Sequence, residues 1–195
     1  YKKIENKGIA ANTNAAAELA SGEYLALADH DDILAPHAMY TMGQAIRQLR
    51  EAGEPDGFLY SDEALFTKKI EKPLVAHFKP DYAPDYLLCC NYICHLAVFR
   101  RELFEQVGGE RPECDGSQDH DLFLRLIEQV GGAAHVPQVL YYWRVHEGST
   151  SGGTDAKPYV AKAAKKALAD HLERTGRTSR RPSGLRKTNW QLNSL

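Results

Sequence analysis

Features that would place the chain in a membrane or on nucleic acid are absent from its 195 residues. No apolar run approaches the roughly 20 residues that a transmembrane helix needs, and no signal peptide opens the sequence. The formal net charge is only −2, from 24 Lys and Arg against 26 Asp and Glu, so no strong global field attracts polyanions. We therefore expect a globular protein with no nucleic-acid partner.

Cysteine is also scarce. The chain has four cysteines, at Cys89, Cys90, Cys94 and Cys114, and no two of them form a C-x-x-C pair. This spacing argues against a zinc knuckle and favours free thiols in a reducing compartment. We expect a cytoplasmic location, which includes peripheral attachment at the inner face of the membrane.

Helical and strand patterns alternate over the first 60 residues. An Ala-rich helix is predicted over Ile9–Ala20, and a buried strand over Glu23–Ala28. A second helix begins near Pro36, and a second strand covers Gly57–Tyr60. This order predicts an α/β fold with a mostly parallel sheet flanked by helices, and ligands bind such sheets at the carboxyl ends of the strands.

The predicted sheet has few strands before its first acidic loop. We expect a domain truncated at its amino terminus, with partial-domain residues 1–153 followed by a helix and basic connector over 154–195. Because truncation would leave an open edge and an uncovered apolar face, self-association is also expected.

The first acidic cluster, Asp29-His30-Asp31-Asp32, directly follows the first predicted strand. Clustered carboxylates repel one another unless a cation or solvent screens them, and at a strand end they can hold Mg²⁺ or Mn²⁺. A solvated turn that caps the next helix is the plainer interpretation, and an aspartyl nucleophile of the phosphatase type stays open. An EF-hand loop is excluded, because its sixth and twelfth positions would be Leu34 and Tyr40.

Two further groups carry candidate chemistry. Ser117 is a plausible N-cap that places Asp119 in the first turn of a helix, where a carboxylate can serve as a general base or simply complement the helix dipole. Arg144 and His146 lie two residues apart after a predicted strand, so both can point to one face. Arginine can clamp phosphate and neutral histidine can bind a divalent metal, although a lone histidine there is more often a surface residue.

Together these groups resemble family-2 glycosyltransferases of the GT-A fold, from about Asn6 to Thr150. The matching segments are Asn6-x-Gly8-Ile9 with Asn14, Ala20-Ser-Gly22-Glu-Tyr24, Asp29-His-Asp-Asp32, Tyr60-Ser-Asp62-Glu63, Phe78-Lys-Pro-Asp81, Asn91-Tyr-Ile93, Asp115-Gly-Ser-Gln-Asp119-x-Asp121 and Leu140-Tyr-Tyr-Trp-Arg144-x-His146-x-Gly-Ser-Thr150. The family usually has Glu where this chain has Gln118. The family's first strands, which hold the nucleotide base, have no counterpart here.

The resemblance implies an inverting, metal-dependent transfer of a sugar from a nucleoside-diphosphate donor (a UDP-, dTDP- or GDP-sugar) to a glycan or other hydroxyl acceptor, in cell-surface polysaccharide synthesis. It also implies Mn²⁺ or Mg²⁺ as cofactor. The implied roles are metal binding by Asp29, Asp31 and His146; donor phosphate binding by Asn14, Asp29 and Arg144; proton abstraction by Asp119; and acceptor-side contacts by Asp62, Glu63 and Asp121.

Two expectations follow for the tertiary structure and the parent protein. Asp31 and His146 should approach each other within reach of one cation. Residues Gly184–Trp190 resemble the connector of proteins that carry two such modules in tandem, although a plain basic tail explains them equally well. The alternative to an enzyme is a binding module that holds a nucleotide or glycan without turnover.

Overall fold

A computed structural model describes residues 3–146 and 158–177 of the chain. Within these ranges the helices are α1 (Ile9–Ala17), α2 (Ala38–Ala52), α3 (Pro84–Cys89), α4 (Arg101–Gln106), α5 (Gln118–Val130) and α6 (Pro158–Arg174). The strands are β1 (Tyr24–Leu27), β2 (Ile33–Leu34), β3 (Phe58–Phe66), β4 (Val75–His77), β5 (Ala97–Arg100) and β6 (Ala134–Arg144). The expected α/β class is confirmed.

The sheet is mixed, so the expectation of a mostly parallel sheet is wrong in this detail. Its strand order is β1-β5-β3-β6-β2. Strand β4 pairs with residues 63–65 of β3, further along that strand than residues 58–60, which pair with β5. Only β3 and β6 pair in parallel among the described strands, because β5 lies antiparallel between β1 and β3. Strands β1 and β3 do run in the same direction, as a parallel sheet predicts, but β5 lies between them.

This topology decides where strand ends meet. Strands β1, β3 and β6 all run one way, so their carboxyl ends lie towards the same edge of the sheet. The acidic residues 29–32 follow β1, and His146 follows β6. Residues separated by more than a hundred positions are thereby brought to one place.

The sheet is covered by an apolar layer on each face. One layer joins α5 to the sheet, where the ring of Phe58 lies 5.2 Å from that of Phe123 and 6.0 Å from that of Phe99. The other contains Met42 of α2 and Leu140 of β6. Buried aromatic and aliphatic contacts of this kind hold the strands rigid, so the loops at their ends have fixed anchors.

Helix α6 packs against α5 on the outer side of the domain. The carboxylate of Glu128 accepts hydrogen bonds from His171, at 2.6 Å, and from Arg174, at 2.7 Å. Ala163 and Ala167 are buried in the same contact region of α6. None of the helices within residues 3–146 and 158–177 is long and apolar enough to cross a membrane.

Candidate cation and donor site

The acidic loop after β1 is held in place by β6. The hydroxyl of Tyr141 donates to Oδ2 of Asp32 at 2.7 Å and accepts from the backbone N–H of Asp29 at 2.9 Å. The backbone N–H of Arg144 donates to Oδ1 of Asp32 at 2.7 Å. Burial raises the pKa of Asp32, and these hydrogen bonds partly offset that effect. Asp32 therefore anchors the loop, and Asp29 and Asp31 are presented by it.

Asp31 and His146 are brought together as expected. Oδ2 of Asp31 lies 3.0 Å from Nε2 of His146, and both side chains are partly exposed. Burial tends to raise the pKa of Asp31, but the contact with His146 outweighs it and the pKa is lowered. A carboxylate that stays ionised beside an imidazole is a suitable pair of ligands for a divalent cation.

Arg144 supports the same loop. Its Nε donates to the backbone carbonyl of Asp31 at 2.6 Å, and its guanidinium stacks over the ring of Phe66 at 4.5 Å. Its Nη1 also donates to the carbonyl of Thr67 at 3.3 Å. These contacts place a positive charge at the edge of the acidic loop, where phosphate binding by Arg144 stays a prediction.

A histidine that the sequence analysis did not single out completes the acidic group. His95 lies just before β5, and its Nε2 is 3.9 Å from Oδ2 of Asp29. Ligand atoms of Asp29, Asp32 and His95 all lie within 4.8 Å of one another. The available signal was a histidine inside the apolar run from Ile93 to Phe99, which is an unusual position for a polar ring.

Asp119 lies in the first turn of α5, as expected, and is half-buried. Its Oδ2 accepts a hydrogen bond from Nδ2 of Asn91 at 2.8 Å, and its Oδ1 accepts from the backbone N–H of His120 at 2.8 Å. Ser117 occupies the N-cap position but makes no capping hydrogen bond with its side chain. The orientation of the carboxylate is therefore fixed by Asn91 and by the helix backbone.

The acceptor-side assignments of Asp62 and Glu63 do not fit the structure. Strand β3 continues to Phe66, so both residues lie inside the sheet and are only 2% exposed. Asp62 accepts from the backbone N–H of Lys79 and from His135, both at 2.9 Å. Glu63 accepts from Nζ of Lys79 at 3.2 Å. Their buried partners satisfy these carboxylates, which leaves no open face for an acceptor.

Asp121 is likewise misassigned as an acceptor contact. It is fully buried, and its carboxylate binds the guanidinium groups of Arg111 and Arg125. Asn14, expected to bind donor phosphate, lies on α1. Its Nδ2 donates to the carbonyl of Glu110 at 2.8 Å, and its Oδ1 accepts from the same residue's N–H at 2.8 Å. Both residues fasten elements together, since the ion pairs of Asp121 are buried and the amide of Asn14 joins α1 to the backbone of Glu110.

The expectations that concern 147–157 and 178–195, including the end of the His146 motif and the connector Gly184–Trp190, lie outside the described residues. The proposed domain boundary at 153 falls there too. What is described of the carboxyl-terminal part, α6, contacts α5 of the preceding domain.

Solved structures of glycosyltransferases share this fold. TarS of S. aureus in complex with UDP superposes with a TM-score of 0.54 at 16% identity, over 89% of this chain and 53% of that chain. A mannosyltransferase of Pyrobaculum calidifontis, in complex with GDP-Man and Mn²⁺, gives a TM-score of 0.50 at 19% identity, over 93% of this chain and 47% of that one. The GT-A fold that the resemblance implied is thereby confirmed.

Curated sequences are similar over most of the chain. The uncharacterized protein y4gI of Sinorhizobium fredii is 42% identical over 84% of this chain, and the O-antigen biosynthesis protein RfbC of Myxococcus xanthus is 32% identical over 86%. The chain spans only 18% and 13% of the lengths of these two relatives. The sequence profile of glycosyl transferase family 2 matches residues 1–108, more than half of the chain. The chain therefore belongs to glycosyl transferase family 2.

Proposed function

We propose that the protein transfers a sugar from a nucleoside-diphosphate donor to a hydroxyl of a glycan, with inversion at the anomeric carbon, in cell-surface polysaccharide synthesis. The observation that carries this proposal is the pairing of Asp31 with His146 beside the exposed carboxylate of Asp29. The names of the relatives support the pathway class, since RfbC is an O-antigen biosynthesis protein and two further relatives from Pasteurella multocida are chondroitin and hyaluronan synthases.

The residues present fit a divalent cation, Mn²⁺ or Mg²⁺. Carboxylate oxygens from Asp29 and Asp31 and an imidazole nitrogen from His146 form a suitable donor set, and the contact of Asp31 with His146 keeps the carboxylate ionised. The similar mannosyltransferase carries Mn²⁺ with GDP-Man. When bound, the cation offsets the negative charge that develops on the leaving diphosphate. Arg144, at the edge of the same loop, adds a second positive charge for the phosphates.

Asp119 is the proposed general base. The amide of Asn91 fixes one oxygen of its carboxylate, and the remaining lone pairs can accept the proton of an acceptor hydroxyl. The acceptor oxygen then forms its bond to the anomeric carbon as the bond to the diphosphate breaks on the opposite face. A single displacement with one base inverts the anomeric configuration, in contrast to the two carboxylates that flank the bond in glycoside hydrolysis.

The test is transfer of sugar from a panel of UDP-, dTDP- and GDP-sugars to oligosaccharide acceptors, with Mn²⁺ or Mg²⁺ added or with EDTA. We expect turnover that requires the cation, and an inverted linkage in the product by NMR. Asp119→Asn provides the matched inactive control. Tight binding of a donor or glycan without turnover under any of these conditions would show that the protein is a binding module.

The location and assembly of the protein are part of the proposal. We propose that it acts in the cytoplasm or peripherally at the inner face of the membrane, where nucleotide sugars are available. A second module in tandem and self-association of the chain stay predictions.

A further inference from the structure

The imidazole of His95 is clamped on several sides. Its ring stacks on Tyr141 with centroids 4.6 Å apart and an interplanar angle of 17°, and Trp143 contacts it edge-on at 5.2 Å. Its backbone N–H donates to Oε2 of Glu63 at 3.1 Å. Since Glu63 is itself buried, the main chain and the ring of His95 are both fixed by rigid neighbours.

The same ring has unused hydrogen-bonding capacity. Its side chain is only 15% exposed, and Nδ1 is buried with no hydrogen-bond partner among the described residues. Nε2 lies 3.9 Å from Oδ2 of Asp29, which is beyond hydrogen-bond distance. Because the ring is held rigidly, Nε2 and the Asp29 carboxylate are kept at a distance that leaves room for one shared ion between them.

We propose that Nε2 of His95 is a further ligand of the divalent cation at the acidic loop, which Asp29 and Asp32 also bind, and that this second imidazole beside His146 strengthens the preference of the site for Mn²⁺ over Mg²⁺. The inference rests on the proposed function for the presence of a cation, and adds to it a ligand and a metal preference. It concerns a residue 51 positions before His146 in the chain, on a different element of the fold.

The geometry agrees with a shared cation. Two ligand atoms at about 2.1 Å from one ion can be up to about 4.2 Å apart. The 3.9 Å between Nε2 of His95 and Oδ2 of Asp29 falls within that limit. The third ligand atom, on Asp32, lies within 4.8 Å of the other two, so a small inward movement completes the group. Asp32 already accepts two hydrogen bonds, and its carboxylate still has lone pairs for an ion.

The metal preference follows from the ligand type. Mg²⁺ demands near-ideal octahedral geometry, keeps its waters and is bound mainly through oxygen. Imidazole nitrogen is a ligand for transition metals, and histidine is their commonest protein ligand. A second imidazole, added to that of His146, therefore strengthens the selection of Mn²⁺ from a solution that contains both ions.

The first experiment measures Mn²⁺ alone by EPR, in which free Mn²⁺ gives a sharp signal that is lost on binding. We expect His95→Gln, which puts an oxygen near the position of Nε2, to weaken Mn²⁺ binding by roughly tenfold or more, since even outer-shell changes cost that much. The matched control is His37→Gln, at an exposed histidine of the segment that leads into α2. This control should bind Mn²⁺ as the unmodified protein does, and Mg²⁺ should compete better in His95→Gln.

The second experiment does not depend on whether His95→Gln folds. Electron spin echo modulation of bound Mn²⁺ detects a directly bound imidazole nitrogen, and we expect this coupling to persist in His146→Gln. Loss of the coupling in His146→Gln, or unchanged Mn²⁺ affinity in folded His95→Gln, overturns the inference and leaves a cation-dependent transferase intact. Transfer activity that is indifferent to EDTA would instead overturn the cation of the proposed function.

Discussion

Asp31 and His146 are 115 residues apart in the chain, yet Oδ2 of one lies 3.0 Å from Nε2 of the other. Asp31 follows β1 and His146 follows β6, and these strands run in the same direction within the sheet. The expectation that the two residues meet within reach of a single cation is confirmed in its geometry. The binding of a cation there stays a prediction.

Substitution of Asp31 tests that prediction. We expect Asp31→Asn to raise the Mn²⁺ concentration needed for half-maximal transfer by roughly tenfold or more, because the charge that faces the cation is lost. Asp81→Asn is the matched control, since Asp81 is 97% exposed and lies on another loop. Activity measured against Mn²⁺ concentration decides the matter, and equal curves for the two variants would remove Asp31 from the site.

Substitution of Asp119 tests the general base. Asp119→Asn keeps the size of the side chain and its bond to Asn91, but the amide cannot take up a proton. The rate should fall by roughly 10²–10⁴-fold, with the melting temperature and Mn²⁺ affinity little changed. Loss of only about 0.3–1 kcal/mol of stability with a normal rate per folded molecule would show that Asp119 merely complements the dipole of α5.

The neighbouring acid Asp121 should behave in the opposite way. Asp121→Asn leaves the charges of Arg111 and Arg125 without their buried partner. We expect a loss of about 3–5 kcal/mol in the free energy of unfolding, the usual cost of breaking a buried ion pair. Urea titration followed by circular dichroism measures it. A variant as stable as the unmodified protein would contradict the structural role assigned to Asp121.

Glu110 gives a prediction for pH. Burial raises the pKa of Glu110 from 4.5 to about 7, a contact with Thr13 opposes this, and Asp119 reinforces it. The unfolded chain releases this proton near pH 4.5 and the folded chain only near pH 7, so the residue contributes most favourably below pH 4.5 and that contribution is lost as the pH rises to 7. Glu110→Gln should therefore be stabilising above pH 7 by up to about 3 kcal/mol, at about 1.4 kcal/mol per pKa unit.

The stability gained by Glu110→Gln should depend on pH. At pH 4 the unmodified protein and Glu110→Gln should unfold at nearly the same denaturant concentration, because Glu110 is then protonated in both states. Glu113→Gln, at a side chain that is 52% exposed, is the matched control for removal of one carboxylate. A gain from Glu110→Gln that is equal at pH 4 and pH 8 would show that shape and not ionisation is responsible.

The local pattern of apolar and polar residues is sufficient to predict much of the fold and part of the site. The alternation of helices and strands up to Tyr60 follows from hydrophobic periodicity, and the N-cap pattern at Ser117 predicts Asp119 in the first turn of a helix. The same pattern predicts a strand that ends at Tyr60, whereas β3 continues to Phe66 and contains Asp62 and Glu63. In a sequence, acidic residues inside a buried strand look like the end of that strand. Their buried partners, here Lys79 and His135, are distant in the chain and become apparent only in the fold.

The sequence by itself determined the α/β class, the family, and the acidic loop that follows β1, because these depend on residues close together in the chain. Only the tertiary structure decided which of the acids remain open. Asp121 and Asp119 are two residues apart on one helix, and the first is buried between arginines while the second is half-buried against Asn91. The membership of His95 in the acidic group was likewise settled by pairing of β5 with β1, since burial and charge neutralisation depend on partners that are distant in sequence.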